Sequence, residues 1–200
     1  MDRPQPFPPL SSFTTEELRC LRTFYAVCTE ILACRFVRNL PQQEHRLTIE
    51  RREDGRTRTQ SPSYDRDDLR SFLTLLRKLL APKEPSYIYR IINIFAKHDP
   101  KECTAEYRQF RKALNDMERS YAGVRISIGT DKDEKEFTPK RMLDTVFNAD
   151  VFHSDASKQD DLRRLRDFSP VTRPFLVKYC IDVVNIALPF AAAIRNRGYL

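Results

Sequence analysis

Glycine is scarce in this chain, at 4 of 200 residues. A shortage of glycine argues against a turn-dense all-β fold and against glycine-rich phosphate loops. Neither GxGxxG nor GxxxxGK[ST] occurs, so the classical nucleotide-binding folds receive no support. The GxSxG pattern is also missing, and no Ser-His-Asp arrangement can be argued.

Paired cysteines are lacking as well. The chain has five cysteines, an odd number, and no CxxC pair. This pattern predicts reduced, buried thiols rather than a disulfide framework. The start of the chain has neither the basic nor the apolar region of a signal peptide, which favours a cytoplasmic location.

What the sequence does have is a long apolar run at residues 174–194. Its polar exceptions, Lys178, Asp182 and Asn185, are spaced by four and three residues and share one narrow helical stripe. We expect the central core helix of a helical domain, kinked or ended late by Pro189. A membrane span has the same length, but each central charge costs about 2.5–3.5 kcal/mol on insertion scales. The run therefore predicts a core helix and no membrane partner.

The fold class follows from the remaining periodicity. We predict a mainly α (α+β) fold of six or seven helices packed around the C-terminal helix, with a small antiparallel sheet of two or three strands. Residues 1–12 are predicted to be a Pro-rich flexible tail, and residues 13–200 a single domain. The third strand is expected at residues 124–128, beside an earlier hairpin.

Helix boundaries are predicted from capping signals. Thr14 and Glu17 form a capping box for a first helix that should run to about Arg38, before Pro41. Later helices are expected at residues 65–80 and 86–98, and a further one begins after a cap at Asp99. That last helix, at residues 103–121, carries an apolar seam spaced 4-3-4-3-4, which predicts packing within the domain or, alternatively, an oligomer contact.

A basic hairpin is predicted at residues 45–60, around the turn Asp54-Gly55. With a two-residue loop, Arg51 stands opposite Arg58, and such like-charge pairs are destabilising. An external anion or acidic side chains of the fold would relieve the repulsion. The net charge is +7, with 25 Arg against 10 Lys, although a high-GC coding sequence explains the same excess. The candidate nucleic-acid-binding residues are Arg46, Arg51, Arg52, Arg56 and Arg58.

Two histidines are weak candidates for catalysis. His153 lies near Asp155 at a predicted helix junction, where it serves either as a general base or as a structural neighbour of the next helix cap. One His-x-Asp is too few ligands for a closed metal site, and we predict neither metal nor cofactor. Six residues separate Arg38 from His45. This resembles the R-x4–6-H motif of HEPN-domain ribonucleases, a helical family, and implies that the pair would lie together over an RNA backbone in a dimer cleft.

These observations predict a non-enzymatic protein that binds a polyanion, most simply nucleic acid, through the arginine-rich hairpin. One alternative is a small ribonuclease-like effector that uses Arg38 with His45, or His153. The other is a regulator that binds an acidic protein partner through the same hairpin.

Overall fold

The protein is mainly helical, as predicted. A computed structural model describes residues 7–44, 49–51, 57–59, 66–99, 101, 104–128, 135–141, 143 and 169–198. Within these residues the α-helices are α1 (Thr15–Ala33), α2 (Arg35–Glu44), α3 (Arg66–Leu80), α4 (Ile88–His98), α5 (Ala105–Ala122) and α6 (Ser169–Asn196). A 3-10 turn, Leu10–Ser12, precedes α1, and residues 139–141 are also helical.

The first predicted helix is divided into two. The predicted capping box is present, because the Thr14 N–H donates to Glu17 Oε2 (2.8 Å) and the Glu17 N–H donates to Thr14 Oγ1 (3.2 Å). However, the chain becomes extended at Cys34, with φ −60° and ψ 132°, and α1 ends there. The expected stop before Pro41 is wrong, since α2 continues to Glu44.

The core lies between α6, α1 and α5. Phe190 of α6 lies at the centre of the aromatic side chains in this core. Its ring stacks on that of Phe110 of α5, with the centroids 4.3 Å apart, and meets the ring of Phe95 of α4 edge-on, with the centroids 4.9 Å apart. Rings of this size contribute the largest apolar areas to a core. Phe7 also stacks on Phe190, at 6.3 Å, and is only 7% exposed. The last part of the predicted tail, residues 7–12, is therefore anchored on the helical body.

Helix α6 has the stripe of polar residues that its spacing predicts. Lys178 and Asn185 are exposed, and Asp182 is half-buried against α5. Pro189 does not end the helix, which continues to Asn196. Because Pro189 lacks an N–H, the Asn185 carbonyl has no helical partner there, but both positions are exposed and water can satisfy the carbonyl.

By length and apolar composition, one helical segment in the described part of the chain, Val177–Asn196, is long enough to cross a membrane. Core helices of globular proteins pass the same test. In this structure Cys180, Val183 and Ala187 are completely buried, on a face that packs against α1 and α5.

The apolar seam of α5 faces the interior. Tyr107, Phe110, Leu114 and Met117 are buried within the chain, as the packing alternative predicts. The predicted start of this helix is wrong, because α5 begins at Ala105 after Thr104. The buried Asp99 carboxylate instead accepts a hydrogen bond from the Thr104 N–H at 2.8 Å, so this acid joins the two ends of the connection between α4 and α5.

The strand expected to join the hairpin does not do so, and the described residues contain two separate two-stranded ladders. Strand β1 (Ile49–Arg51) pairs with β2 (Thr57–Thr59), and β3 (Ile126–Ile128) pairs with β4 (Lys135–Phe137). The predicted three-stranded sheet is therefore not formed. Strand β4 begins within the charged stretch at residues 131–136 of the sequence.

The predicted hairpin register is also wrong. Arg51 pairs with Thr57, and Arg58 pairs with Glu50. Cross-strand partners share a face and successive positions alternate, so positions 51 and 58 lie on opposite faces of the ladder. The observed register pairs position 50 with position 58 and does not pair Arg51 with Arg58, and residues of opposite charge are the favourable cross-strand partners.

Candidate functional site: a tyrosine-lined cavity and a basic hairpin

Arg38, the arginine of the HEPN-like motif, has a structural partner. Its Nε donates to the Ala33 carbonyl at 2.9 Å, and its terminal nitrogen Nη2 donates to the same oxygen. A cation on the last carbonyl of a helix satisfies an orphan acceptor and complements the helix dipole. Arg38 thus closes the C-terminus of α1.

The other sequence-predicted site residues fall into two groups. Arg51 and Arg58 lie in the β1–β2 ladder. The remaining candidates lie outside the described residues; these are His45, Arg46, Arg52, Arg56, His153 and Asp155. The structure accordingly leaves the proposed Arg38–His45 pairing as a prediction.

A junction that sequence reasoning missed joins α1 to α4 at Glu17. Lys97 Nζ lies 2.8 Å from Glu17 Oε1, and His98 Nε2 lies 3.1 Å from Oε2. The His98 ring also packs against Phe13 at 4.3 Å. One carboxylate thereby caps its own helix and binds the last turn of another.

The pKa of Glu17 reflects these contacts. Partial burial by itself raises the pKa of this carboxyl, but hydrogen bonds from Lys97, from the Thr14 backbone and from His98 outweigh burial and lower the pKa to about 2. A carboxylate with every oxygen engaged by the fold stabilises the structure rather than catalyses a reaction. We assign Glu17 a structural role.

A second cluster surrounds a cavity of about 570 Å³. The cavity lies between the end of α3, the start of α4 and the connection between them, α5, α6, and the side chains of Lys140 and Leu143. Its volume is within the range of about 300–1,000 Å³ that small-molecule sites occupy. Apolar side chains form part of the wall, among them Ile88, Leu114, Met117 and Leu143.

Tyrosine and glutamate form the polar wall of this cavity. The Tyr89 hydroxyl donates to Glu118 Oε1, and the rings of Tyr87 and Tyr89 are 5.3 Å apart. Burial is the main reason that the pKa of Tyr89 lies well above its usual value, and the charge of Glu118 raises it further. Burial and Glu118 raise the pKa of Tyr87 in the same way. Both hydroxyls are therefore neutral hydrogen-bonding groups at physiological pH.

Tyr179 completes the aromatic lining from α6. Its ring meets Tyr121 edge-on at 4.9 Å, and the Tyr121 hydroxyl donates to Asp182 Oδ2 at 2.6 Å. Lys178 Nζ binds the same oxygen at 3.0 Å. This layer behind the cavity fixes Tyr121, which in turn supports the Tyr179 ring.

Two cationic side chains, Arg77 and Lys140, also line the cavity. Together with Glu118 they give it charges of both signs beside an apolar wall. Small-molecule sites usually combine an apolar wall with a few charged or polar groups in this way.

The sequence held no motif for this site. Tyr121 was one position of the α5 seam, and Tyr179 was one apolar position in the C-terminal run. Sequence motifs for catalytic or metal sites contain histidine, cysteine or paired acids, whereas the polar lining here is mainly tyrosine. The remaining signal was the close repeat Tyr87-Ile88-Tyr89.

The cysteines within the described residues form no reactive or metal-binding site. Cys20, Cys28 and Cys180 are buried free thiols, and burial raises the pKa of Cys28 to about 12. A thiol with so high a pKa is a poor nucleophile and a poor ligand at neutral pH. Within the described residues, no group of three or more His, Cys, Asp or Glu side chains is placed to hold a metal ion.

Comparison with protein-family models, with curated proteins and with solved structures finds no match to this chain. Its function is therefore argued from its own residues.

Proposed function

We propose that this protein binds a polyanion, most simply nucleic acid, through its arginine-rich hairpin and without catalysis. The observation that carries the proposal is charge density: five arginines fall at positions 46, 51, 52, 56 and 58, in a chain of net charge +7. The β1–β2 ladder includes two of these positions, 51 and 58. Arginine is the preferred bidentate ligand for phosphate.

The register makes the two faces of the hairpin unequal. Position 58 has an acidic cross-strand partner, Glu50, whereas position 51 stands opposite Thr57. The acid lowers the local positive potential on the face of position 58. We therefore expect Arg51 to contribute more to polyanion affinity than Arg58.

The contacts are expected to be with the phosphate backbone. Tyr64 is the aromatic residue nearest to the hairpin in sequence, so stacking platforms for bases are few. Phosphate contacts position a protein on nucleic acid without reading its sequence. Binding should accordingly be insensitive to sequence and should weaken steeply with salt, with a slope near 0.9 per phosphate neutralised on duplex DNA.

The test is binding of a fluorescent DNA duplex across a salt series by wild type, Arg51→Glu, Arg58→Glu and the double variant. We expect the double variant to lose binding at low salt, and Arg51→Glu to lose more affinity than Arg58→Glu. The matched control is Arg22→Glu with Lys112→Glu, which makes the same charge change at exposed helix positions. Equal affinity and equal salt slope in the hairpin double variant and wild type would refute the proposal.

A pull-down with and without nuclease treatment separates the alternatives. Nucleic acid that copurifies with the wild type supports polyanion binding. A stoichiometric protein partner that survives nuclease supports the regulator hypothesis. RNA decay that disappears in His45→Ala or His153→Ala supports the ribonuclease hypothesis.

A further inference from the structure

The tyrosine-lined cavity is distinct from the hairpin, and its chemistry is that of a small-molecule site. A cavity of about 570 Å³ has the size of a small-molecule site and is lined by both polar and apolar side chains. Aromatic rings, a carboxylate and two cations all line it. Each of these groups restricts the ligand in a different way.

The aromatic lining favours a planar ring. Tyr87, Tyr89 and Tyr179 contribute three rings, and Ile88 and Met117 contribute apolar surface. The Tyr87 and Tyr89 rings are only 5.3 Å apart, too close to accept a third ring between them. A ligand ring would therefore stack on an exposed tyrosine face, which stabilises flat aromatic and heteroaromatic groups.

Glu118 favours a ligand with an N–H donor. Its Oε1 accepts the Tyr89 hydroxyl, which fixes the carboxylate at the cavity wall. The Glu118 side chain is exposed at the wall, and the tyrosine hydroxyl contacts one of its two carboxylate oxygens, Oε1. A ring N–H or exocyclic amine would give this carboxylate a charge-assisted hydrogen bond.

Arg77 and Lys140 favour an anionic group on the same ligand. Both side chains line the cavity, from the end of α3 and from the segment after β4. Arginine and lysine are the side chains that bind phosphate and carboxylate groups. The ligand thus needs a planar ring, a nitrogen donor and an anion.

We propose that the cavity binds a small heteroaromatic molecule with a ring N–H or amino group and an anionic tail, the chemistry of a purine mononucleotide. In this arrangement the ring lies on tyrosine, the nitrogen donor faces Glu118, and the anion faces Arg77 and Lys140. The site is separate from the polyanion-binding hairpin, and either proposal can fail without the other.

The test is isothermal titration of the purified full chain with AMP and GMP, beside adenosine, guanosine and inorganic phosphate. We expect saturable binding of at least one mononucleotide at one site per chain. The corresponding nucleoside should bind about tenfold or more weakly, because it lacks the charge-assisted contacts. Phosphate alone should not reproduce the affinity.

Four variants locate the bound molecule. Ala81→Phe fills the cavity and should abolish binding, and Glu118→Ala should weaken it about tenfold or more. Arg77→Gln with Lys140→Gln should lower mononucleotide affinity to that of the nucleoside and leave nucleoside affinity unchanged. Asp116→Asn, an exposed acid on the same helix, is the matched control and should bind normally.

A thermal melt of each variant verifies folding before titration. Arg51→Glu, in the hairpin, should bind the mononucleotide as wild type does, which separates this site from the polyanion surface. The proposal is overturned if folded wild-type protein shows no saturable binding of either mononucleotide at millimolar concentration. It is overturned equally if the folded Ala81→Phe protein binds as tightly as wild type.

Discussion

The helix pair α5–α6 is packed differently along its length. At one end Phe110 and Phe190 stack at 4.3 Å, and the rings of Phe95 and Phe7 surround them. At the other end the same two helices, with the α3–α4 connection, border a cavity of about 570 Å³. The first end consists of apolar rings, whereas the second is lined by tyrosines and charged groups.

The two ends of the α5–α6 pair contribute differently to the free energy of folding. Dense apolar packing provides most of the free energy of folding, because dispersion and burial both grow with contact. A polar cavity provides little of it, since its hydroxyls and charges are already solvated in the unfolded chain. We infer that the Phe110–Phe190 end stabilises the fold and that the end bordering the cavity binds a ligand.

The largest loss of stability is expected for Val184→Asp, which changes the buried face of α6. Val184 is 4% exposed on the buried face of α6, and an unpaired charge there costs several kcal/mol, on the order of the whole stability of a domain. We expect an unfolded protein by circular dichroism. Asn185→Asp, which places the same charge on an exposed neighbour, should fold with nearly wild-type stability. A folded Val184→Asp protein would show that this face of α6 is not core.

Side-chain truncation to alanine at each end of the α5–α6 pair compares how tightly the two ends are packed. Phe190→Ala should lower the free energy of unfolding by about 3–5 kcal/mol, because it leaves a void among close-packed rings. Met117→Ala should cost about 2 kcal/mol or less, because Met117 already borders a cavity and loses fewer contacts. Chemical denaturation of both variants gives the two values. Equal losses would mean that the two ends are packed alike.

Glu17→Gln tests the junction of α1 with α4. Glutamine can still complete the capping box, but it cannot pair with the charge of Lys97. We expect a loss of about 1–2 kcal/mol at neutral pH by denaturation. Glu16→Gln, whose side chain is 61% exposed in a pair with Arg19, should change stability far less.

The same variant should alter the pH dependence. The pKa of Glu17 is lowered to about 2 from an ordinary 4.5, so the unfolded chain binds this proton more readily than the folded one. The contribution of Glu17 is therefore complete above pH 4.5 and is lost as the pH falls toward 2. The stability of wild type minus that of Glu17→Gln should shrink over this window. A difference in stability that stays constant with pH would contradict the lowered pKa of Glu17.

The smallest effect is expected for Tyr121→Phe, in the layer behind the cavity. The variant loses the hydrogen bond to Asp182 and keeps the ring that supports Tyr179. A loss of about 0.5–1.5 kcal/mol is expected in denaturation. Tyr121→Phe in an Asp182→Asn background should cost less, and an unchanged cost would show that the two side chains are not coupled.

Local patterns in the sequence predicted the helices better than the strands. The Thr14–Glu17 capping box and the apolar spacing of α5 identify two helices whose bonds are close in sequence. The predicted hairpin register is wrong because the Asp54-Gly55 signal predicts a two-residue loop, whereas the observed register pairs Glu50 with Arg58. Pairing between strands depends on the whole connection and not on two residues.

The cavity was not predictable by the same means. Its side chains come from four separate parts of the chain, and tyrosine and glutamate at those positions are ordinary helix-face residues in the sequence. Only the packing of α4 against α5 brings Tyr89 to Glu118, which is 29 residues away. The break at Cys34 was also missed, because the sequence around it has neither the glycine nor the proline that usually ends a helix.

The most direct test of the division between the two ends is a methyl NMR titration. The chain has three methionines, so selective labelling gives a simple spectrum, and Met117→Leu assigns the cavity signal. We predict that added AMP or GMP shifts the Met117 methyl resonance saturably in wild type and leaves it unmoved in Ala81→Phe. A Met117 resonance that stays fixed at millimolar mononucleotide, in protein that remains folded, would contradict the assignment of this end of the helix pair to ligand binding.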